Sequence, residues 1–333
     1  MLLDQLGFRV DVIYPADSPS TAIVSGHGVR LRLESSDTSQ PITLHLLTDH
    51  PGEPARLPGG SVVECRPSAM AHALPYNRPS LVISHDTGES GVGRAGMRYR
   101  DLIPDRWGGR FIASHITIPD AGPVPDYVHF HKIRFQLIFV KQGWVKVAYE
   151  DQGEPLLLQR GDCVNQPPEI RHQVLESSGG LEVIEIGCPA EHETIADWSL
   201  PLPNDVGDPN RQWDGQRFVH HVAEGALYQP WRIDGWEHRD SGIGAGTEGL
   251  AGVRVARPAG SVGDAWIAHD TEFSLLVVLR GGVTFEADGG EPSVLGDGDS
   301  VAIPGDLRYR LTDPTADCEL LDVTMPDVFD CTG

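Results

Sequence analysis

The chain has 333 residues, of which 40% are hydrophobic and 22% are charged. This length suffices for two or three domains, and the composition is that of an ordinary globular protein. The formal net charge of −22 offers no basic excess to meet phosphate. Neither nucleic acid nor an anionic membrane is therefore expected as a partner.

The first residues, MLLDQLGFRV, contain no basic segment followed by a long apolar run, so we expect no secretory signal. No stretch of the sequence approaches the roughly 18 apolar residues that a membrane helix needs. The five cysteines are an odd number without a CxxC pair. This usage fits a reducing compartment and argues against a disulfide framework or a cysteine-rich zinc site. We expect a cytoplasmic protein.

Residues 1–66 match no other part of the chain. The segment LGFRVDVIYPADSPSTAIVSGHGVRLRLE, with the closing LPGGSVVECR, resembles one βαβββ module of the glyoxalase/vicinal-oxygen-chelate superfamily. The resemblance implies a small α+β segment in which a helix carries the alanine, with Glu64 at the family's closing metal-ligand position. Such sites normally need two paired modules, and one is visible. A dimerisation or lid role is favoured over a metal at Glu64.

Residues 67–97 contain many Pro, Gly and Ser residues and are predicted to be a linker. Short β-branched runs separated by turns follow, among them RFIASHITI, FQLIFV, WVKVAY, LEVIEIG and FSLLVVLRGGVTFEA. Runs of this kind predict an all-β sandwich or barrel. Helical periodicity is nearly absent, and only HETIADW, residues 192–198, is a candidate for one or two helical turns.

Two parts of the chain match each other along these runs. The turn anchors that correspond are Gly122 with Gly260, Gly143 with Gly281, Gly161-Asp162 with Gly298-Asp299, and Pro167 with Pro304. The spacing between the first two anchors is the same in both parts, and the spacing between the last two differs by one residue. This correspondence predicts a duplicated β-domain.

The first of the two parts reads G(x6)HxH(x4)Q(x6)G from Gly122 to Gly143 and G(x5)P(x4)H from Gly161 to His172. This spacing resembles the two-part motif of the cupin superfamily. The resemblance implies a mainly β fold with two tandem double-stranded β-helix (jelly-roll) domains, residues 98–200 and 201–333, after the N-terminal α+β segment. Cupins include dioxygenases, decarboxylases, isomerases, lyases, storage proteins and sugar sensors, so the fold does not set the function.

His129 and His131 are two residues apart in a predicted strand, so their side chains face the same side. Cupin geometry would bring His172 beside them. Three neutral imidazoles suit Fe, Zn, Ni, Cu or Mn. We predict that the three bind a divalent metal, Fe(II) first, with Zn, Ni and Mn as alternatives. The family usually has Glu where this chain has Gln136, which we predict to be a fourth ligand or a hydrogen-bond partner of substrate or water.

Four further side chains near this motif are predicted to bind substrate: Arg110, His115, Tyr127 and Phe135. Arg110 belongs to an arginine-rich stretch, and arginine is the preferred partner of a carboxylate. Surface salt bridging is the alternative for these arginines. His115 shares a predicted strand face with Thr117. Glu169 and Glu176, on either side of His172, are predicted to be solvated.

The second part has lost most of the histidines. Ile267, Ser274 and Tyr309 stand where the first part has His129, Gln136 and His172, and only His131 is matched, by His269. One histidine in such a set is not a metal site. We predict a degenerate domain that packs against the first or covers its mouth, with a structural His269.

Three functions stay open at this point. A three-histidine set in one half of a bicupin is similar to that of gentisate-type dioxygenases. It implies a non-heme Fe(II) dioxygenase acting on a small carboxylated or enolisable organic substrate, with O2 as co-substrate. A redox-neutral isomerase, lyase or hydrolase with Zn, Ni or Mn is the alternative. A non-catalytic small-molecule-binding cupin is the third hypothesis. A homodimer is the default by analogy with cupins.

Overall fold

A computed structural model of the chain describes residues 2–3, 6–36, 40–48, 54–56, 60–67, 74–93, 96–208 and 211–333. The chain divides into two compact units, residues 1–73 and 74–333. Within the described ranges, no helix is long and apolar enough to cross a membrane.

The described part of the first unit contains strands. They are β1 (Arg9–Tyr14), β2 (Thr21–Gly26), β3 (Val29–Glu34), β4 (Thr43–Thr48), β5 (Ala55–Arg56) and β6 (Val62–Pro67). The first three form an antiparallel meander, and β4 pairs in parallel with β6, which also pairs with β5. Phe8, Val24, Leu46 and Val63 form a small core.

The helix expected after β1 is not found in the described residues of this unit. Residues 15–20 form bends, and Ala22 lies in β2. Two prolines within those six residues disfavour a helix, and the β-branched TAIVSG favours a strand. Glu64 lies in β6 with its carboxylate 3.5 Å from Nδ1 of His45. No three-residue metal cluster of the described residues includes it.

The second unit contains the predicted duplication. The strands of its first half, with one strand that precedes it, are β7 (Val82–Ser84), β8 (Gly91–Val92), β9 (Arg98–Asp101), β10 (Ile112–Ile118), β11 (Gly122–Pro123), β12 (His129–His131), β13 (Phe135–Gln142), β14 (Trp144–Tyr149), β15 (Leu156–Gln159), β16 (Cys163–Asn165), β17 (His172–Ser177), β18 (Leu181–Cys188) and β19 (Thr194–Ala196). A short helical turn, α1 (Arg106–Gly109), precedes β10.

The strands that follow repeat this succession. They are β20 (Val219–His221), β21 (Gln229–Pro230), β22 (Trp236–Asp240), β23 (Gly252–Pro258), β24 (Ala268–His269), β25 (Phe273–Arg280), β26 (Gly282–Ala287), β27 (Ser293–Gly296), β28 (Ser300–Ala302), β29 (Tyr309–Thr312), β30 (Glu319–Met325) and β31 (Cys331–Thr332). The turn α2 (Ile243–Gly246) lies before β23.

The sheet order confirms the mainly β, duplicated jelly-roll fold. The first half has a seven-stranded sheet, β20-β16-β13-β18-β10-β9-β8, and a second sheet, β15-β14-β17-β12-β19, with β11 beside β17. The second half has β7-β28-β25-β30-β23-β22-β21 and the smaller sheets β27-β26-β29 and β24-β31. The two large sheets therefore have the same strand order, each with one extra edge strand.

The extra edge strands come from outside each half. β20, from the predicted second domain, pairs with β16, and β7, from the predicted linker, pairs with β28. Each strand covers an edge that would otherwise expose unpaired backbone groups. The two halves are therefore joined by backbone pairing as well as by side chains.

One core holds the two large sheets together. Phe135, Leu137 and Phe139 of β13 contribute to it from the first half, and Phe273 and Leu275 contribute from the second. The rings of Phe111 and Phe273 stack at a centroid distance of 4.3 Å. The degenerate half thus packs against the first half through this core, which is one of the two arrangements expected from the sequence.

The prediction of one or two helical turns in HETIADW is wrong. Residues 194–196 form β19, which pairs with β12 from His129↔Ala196 to His131↔Thr194. The β-branched Thr194 and Ile195 suit a strand, and the pairing partner β12 is distant in sequence. A local pattern therefore did not reveal this strand.

Phe273 tests the shared core. Phe273→Ala should lower the free energy of unfolding by about 3–5 kcal/mol, because it removes a fully buried ring from a packed site. Urea denaturation followed by tryptophan fluorescence measures the loss. Val294→Ala is the control, since Val294 is 74% exposed and should change stability little. A loss below about 1 kcal/mol for Phe273→Ala would contradict the shared core.

Candidate metal centre and its cavity

Three histidines converge inside the first half. His129 on β12 is paired directly with His172 on β17, and His131 faces the same side two residues later. The three are buried, and one ring nitrogen of each lies within 4.8 Å of the others. Ring centroids are 4.3 Å apart for His129 and His172 and 5.2 Å apart for each pair that includes His131.

Hydrogen bonds fix the orientation of these rings. Nδ1 of His129 lies 2.7 Å from the Tyr127 carbonyl, and Nδ1 of His172 lies 3.1 Å from the Ile170 carbonyl. Since a carbonyl only accepts, both Nδ1 atoms carry the proton. Nδ1 of His131 lies 2.9 Å from Oγ1 of Thr194. Outer hydrogen bonds of this kind hold metal-ligating histidines with Nε2 toward the ion. The residues present therefore fit a divalent metal.

A buried carboxylate lies behind this cluster. The side chain of Asp126 is fully buried, with Oδ1 3.7 Å from Nδ1 of His129. Its Oδ2 accepts a hydrogen bond of 2.9 Å from the Val174 backbone amide. This position strengthens the donor character of His129 and links β12 to β17. Sequence reasoning missed Asp126, because an aspartate after a proline is more typical of a turn.

The histidines line a cavity of about 420 Å3. Its wall is mostly apolar, and the apolar residues are Met97, Ile112, Ile116, Ile118, Ile138, Val145, Val147, Val174, Leu181 and Val183. The polar or aromatic residues are Tyr99, Tyr127, Gln136, Tyr149, Gln166, Glu185, His192 and Thr194 beside the three histidines. Among the described residues that line it there is no lysine or arginine.

Two of the other predicted site residues lie in this cavity. Tyr127 packs edge-on against His129, with ring centroids 5.7 Å apart. Gln136 is buried, and its Nε2 donates a hydrogen bond of 2.6 Å to Oε1 of Glu185. This bond engages the amide nitrogen of Gln136, and the two predicted roles, a fourth ligand through the carbonyl oxygen or a hydrogen-bond partner of substrate or water, both stay predictions.

Three predicted substrate-binding residues lie elsewhere, and their placement is corrected. Phe135 belongs to the shared core, because its neighbour Gln136 takes the cavity face of β13. Arg110 is bound by Glu272, with Nε 2.9 Å from Oε1. Arg110 thus forms a salt bridge, which is the alternative weighed for the arginines.

His115 occupies the opposite face of β10 from the cavity. With Thr117 it lines a separate polar cleft, and its Nε2 lies 2.9 Å from Oε2 of Glu182. The isoleucines at positions 112, 116 and 118 take the cavity face of the strand. His115 and Thr117 therefore share one face of β10, as predicted. That face is opposite to the one that lines the histidine cavity.

Several cavity residues were not predicted to bind substrate or metal. Gln166 donates a hydrogen bond of 3.0 Å to the hydroxyl of Tyr149, and burial raises the pKa of that phenol. The His192 ring lies 5.2 Å from the His131 ring. The strand β19 brings in Thr194, and the large sheet brings in Glu185. Side chains along β18 alternate between the core face and the opposite face, and this alternation is the sequence pattern that indicates Glu185. Glu169 and Glu176 are exposed.

The second half replaces the histidine cluster with an ion pair. Ile267 bridges to Tyr309 as His129 does to His172, which agrees with the predicted correspondence. The buried carboxylate of Asp322 binds the guanidinium of Arg232 through both nitrogens of its fork. His269 lies beside them, and burial, followed by the charge of Arg232, lowers its pKa to about 4.

Asp322 and Glu185 are equivalent by strand register. Gln136 corresponds to Ser274, so Ile138 corresponds to Leu276. Ile138 is paired with Glu185 and Leu276 with Asp322. The duplicated halves therefore keep one carboxylate at this position and differ in what faces it.

Asp322→Asn should lower the free energy of unfolding by about 3–5 kcal/mol, because it leaves the Arg232 guanidinium buried without a counter-charge. Urea denaturation measures the loss. The double variant Asp322→Asn/Arg232→Met should recover most of it, since no unpaired charge is then buried. Equal losses in the single and double variants would contradict this account.

Glu182 provides a test by pH. Its pKa is lowered from 4.5 to about 2, first by the hydrogen bond from His115, against the cost of burial, and then by Lys141. A lowered pKa in the folded state stabilises the fold above pH 4.5, and this stabilisation is lost as pH falls from 4.5 toward 2. The stability advantage of the wild type over Glu182→Gln should therefore be constant above about pH 5 and shrink below it.

The measurement is the free energy of unfolding at a series of pH values for both proteins. Glu176→Gln, which changes an exposed carboxylate, is the control and should follow the wild type at each pH. A difference between wild type and Glu182→Gln that does not change between pH 5 and pH 3 would refute the assigned network.

No family model and no curated protein matches the sequence. Solved structures do match. A mutant salicylate 1,2-dioxygenase from Pseudoaminobacter salicylatoxidans superposes with a TM-score of 0.55 at 15% identity, over 76% of this chain and 85% of that chain. Protein YlbA from E. coli gives a TM-score of 0.54 at 10% identity, over 78% and 95%. A mutant oxalate decarboxylase from Bacillus subtilis gives 0.53 at 11% identity, over 79% and 80%.

At identities this low, the superpositions establish a shared fold and no more. The matches extend over most of each neighbour, and the two large sheets of residues 74–333 repeat one strand order. Together with the three histidines, these matches show that residues 74–333 have the duplicated jelly-roll fold that the resemblance to cupins implies.

Proposed function

We propose that the protein is a metal-dependent oxygenase in which His129, His131 and His172 bind Fe(II). The observation that carries the proposal is the histidine cluster itself. Three buried imidazoles, each with Nδ1 held by a hydrogen bond, line one end of a cavity large enough for a small organic molecule. Clusters with this donor set are suited to a divalent metal with positions left for other ligands.

Bound Fe(II) would supply Lewis acidity and one-electron chemistry toward O2. The chain supplies the rest. Outer hydrogen bonds hold the imidazoles in place, and the apolar wall excludes water from the reacting atoms. Polar side chains that contact the histidines, such as Tyr127 and Thr194, would orient a substrate, and the isoleucines and valines of the lining would enclose its body.

The lining favours an enolisable, uncharged substrate over a carboxylate. The two neighbours named salicylate dioxygenase and oxalate decarboxylase act, by name, on carboxylates. In the present cavity no lysine or arginine of the described residues is available to bind one, and Arg110, predicted for that task, is engaged by Glu272. Burying a carboxylate without a cationic partner is costly. A β-diketone with an apolar body suits both ends of the cavity.

Metal content tests the proposal. Protein purified anaerobically without a His tag should contain about one iron per chain by elemental mass spectrometry, and His129→Ala should lose it, since removing one imidazole of three breaks the site. His269→Ala is the matched control from the degenerate half and should keep the iron. Stoichiometric Zn, Ni or Mn would favour the redox-neutral enzyme, and the absence of any metal would overturn the proposal.

O2 consumption then tests the substrate class. The iron-loaded protein should consume O2 with 1-phenyl-1,3-butanedione and much less with gentisate, because the cavity offers an apolar wall and no cation. Preference for gentisate would reverse the substrate assignment while leaving the oxygenase in place.

A further inference from the structure

We propose that Glu185 is the general base of this site and accepts the proton that an enolisable substrate loses. The proposal rests on the function proposed above and adds a catalytic residue to it. The Glu185 side chain lies on β18 and lines the same cavity as the three histidines.

Gln136 positions the carboxylate of Glu185. Its amide donates a hydrogen bond of 2.6 Å to Oε1, from the neighbouring strand β13. Gln136 is itself 2% exposed and has little room to move. The bond directs one carboxylate oxygen to the sheet, and Oε2 has no hydrogen bond to any side chain or backbone amide in the described ranges. Gln136 is a positioning residue in this arrangement.

The second half of the chain is an internal comparison. At the equivalent position, Asp322 is fully buried and its charge is neutralised by Arg232. Glu185 forms no ion pair with a lysine or arginine of the described residues. In the half without the histidine cluster, this carboxylate therefore pairs with an arginine. In the half that has the cluster, it pairs with no lysine or arginine of the described residues. A carboxylate that lines an apolar cavity without a cationic side chain beside it is suited to act on what the cavity binds.

The other carboxylates near the cavity, and the Tyr149 phenol, are poorer bases. Asp126 is fully buried, and its Oδ2 already accepts the Val174 amide. Burial raises the pKa of the Tyr149 phenol, so it stays protonated. Glu169 and Glu176 are exposed and do not line the cavity. Glu185 is therefore the carboxylate that faces the substrate space.

The proton transfer balances without a further reagent. The carbon–hydrogen bond between the two carbonyls breaks, and its proton goes to a carboxylate oxygen of Glu185. The electron pair of that bond forms the carbon–carbon double bond of the enolate, and the charge that Glu185 loses passes to the enolate oxygens. Glu185 returns the proton to water after the product leaves.

Deuterium exchange tests this step apart from O2 chemistry. The full-length protein is loaded with Zn2+, which has no redox chemistry, and is given 3-methyl-2,4-pentanedione in D2O. Loss of the C3 proton signal is followed by NMR and corrected for exchange without protein. Wild type should accelerate exchange, and Glu185→Gln should lose the acceleration by on the order of 100-fold. Glu185→Asp should retain part of it.

Binding gives a readout that does not depend on turnover. Zinc-loaded wild type titrated with the same diketone should show the ultraviolet absorption of the enolate, and Glu185→Gln should show much less, because no base takes the proton. Metal content and melting temperature should match the wild type in Glu185→Gln, since Glu185 is not a ligand. Glu176→Gln, an exposed carboxylate on β17, is the matched control and should exchange at the wild-type rate.

The outcomes separate the two proposals. Exchange by Glu185→Gln within about threefold of wild type, with metal content intact, would overturn the role of Glu185 and leave the oxygenase standing. The same holds if wild type fails to exchange the probe but consumes O2 with it when loaded with iron. A wild type that binds no metal and neither exchanges the probe nor consumes O2 overturns both.

Discussion

The alternation of side chains along β13 and β18 is the constraint on which the rest of the molecule depends. Phe135 and Leu137 point into the core shared with the second half, whereas Gln136 and Ile138 point into the cavity. Because both faces of this sheet are buried, a shift of one residue would place Gln136 in an apolar core and a phenylalanine in the cavity. The packing between the halves therefore fixes the register that puts Gln136 and Glu185 beside the histidines.

Hydrogen bonds to the three imidazoles set the direction in which their other ring nitrogens point. Neutral imidazole is the form that binds a metal. Carbonyl acceptors at Nδ1 of His129 and His172 select the tautomer that directs the other nitrogen into the cluster. Two carboxylates accompany this cluster: Asp126 lies 3.7 Å from Nδ1 of His129, and Glu185 lines the same cavity as the histidines. Their negative charges complement a divalent cation and would be costly without one.

The sequence predicted the duplicated fold and the histidine cluster because both depend on spacings along the chain. The HxH pair follows from the period of a strand, and His172 followed from the cupin motif. The correction of His115 and Phe135 has one physical reason, since a strand pattern shows which residues share a face but not which face meets the cavity. The alternation along β18 gives the face of Glu185, but its place beside Gln136, like Asp126 and β19, depends on pairing between distant strands, which a single sequence does not display. The pairing of β20 with the first half and of β7 with the second was missed for the same reason.

The two halves show how the histidine cluster can be absent while the fold is kept. Ile267 and Tyr309 stand where the first half has His129 and His172, and the buried carboxylate of Asp322 then faces a space without the cluster. Arg232 balances this charge, and burial, followed by the charge of the guanidinium, lowers the pKa of the neighbouring His269. Restoring histidines at 267 and 309 would not recreate a metal site, because Arg232 would still repel the incoming cation. The element common to both halves is thus the carboxylate, which shares a cavity with three histidines in the first half and pairs with Arg232 in the second.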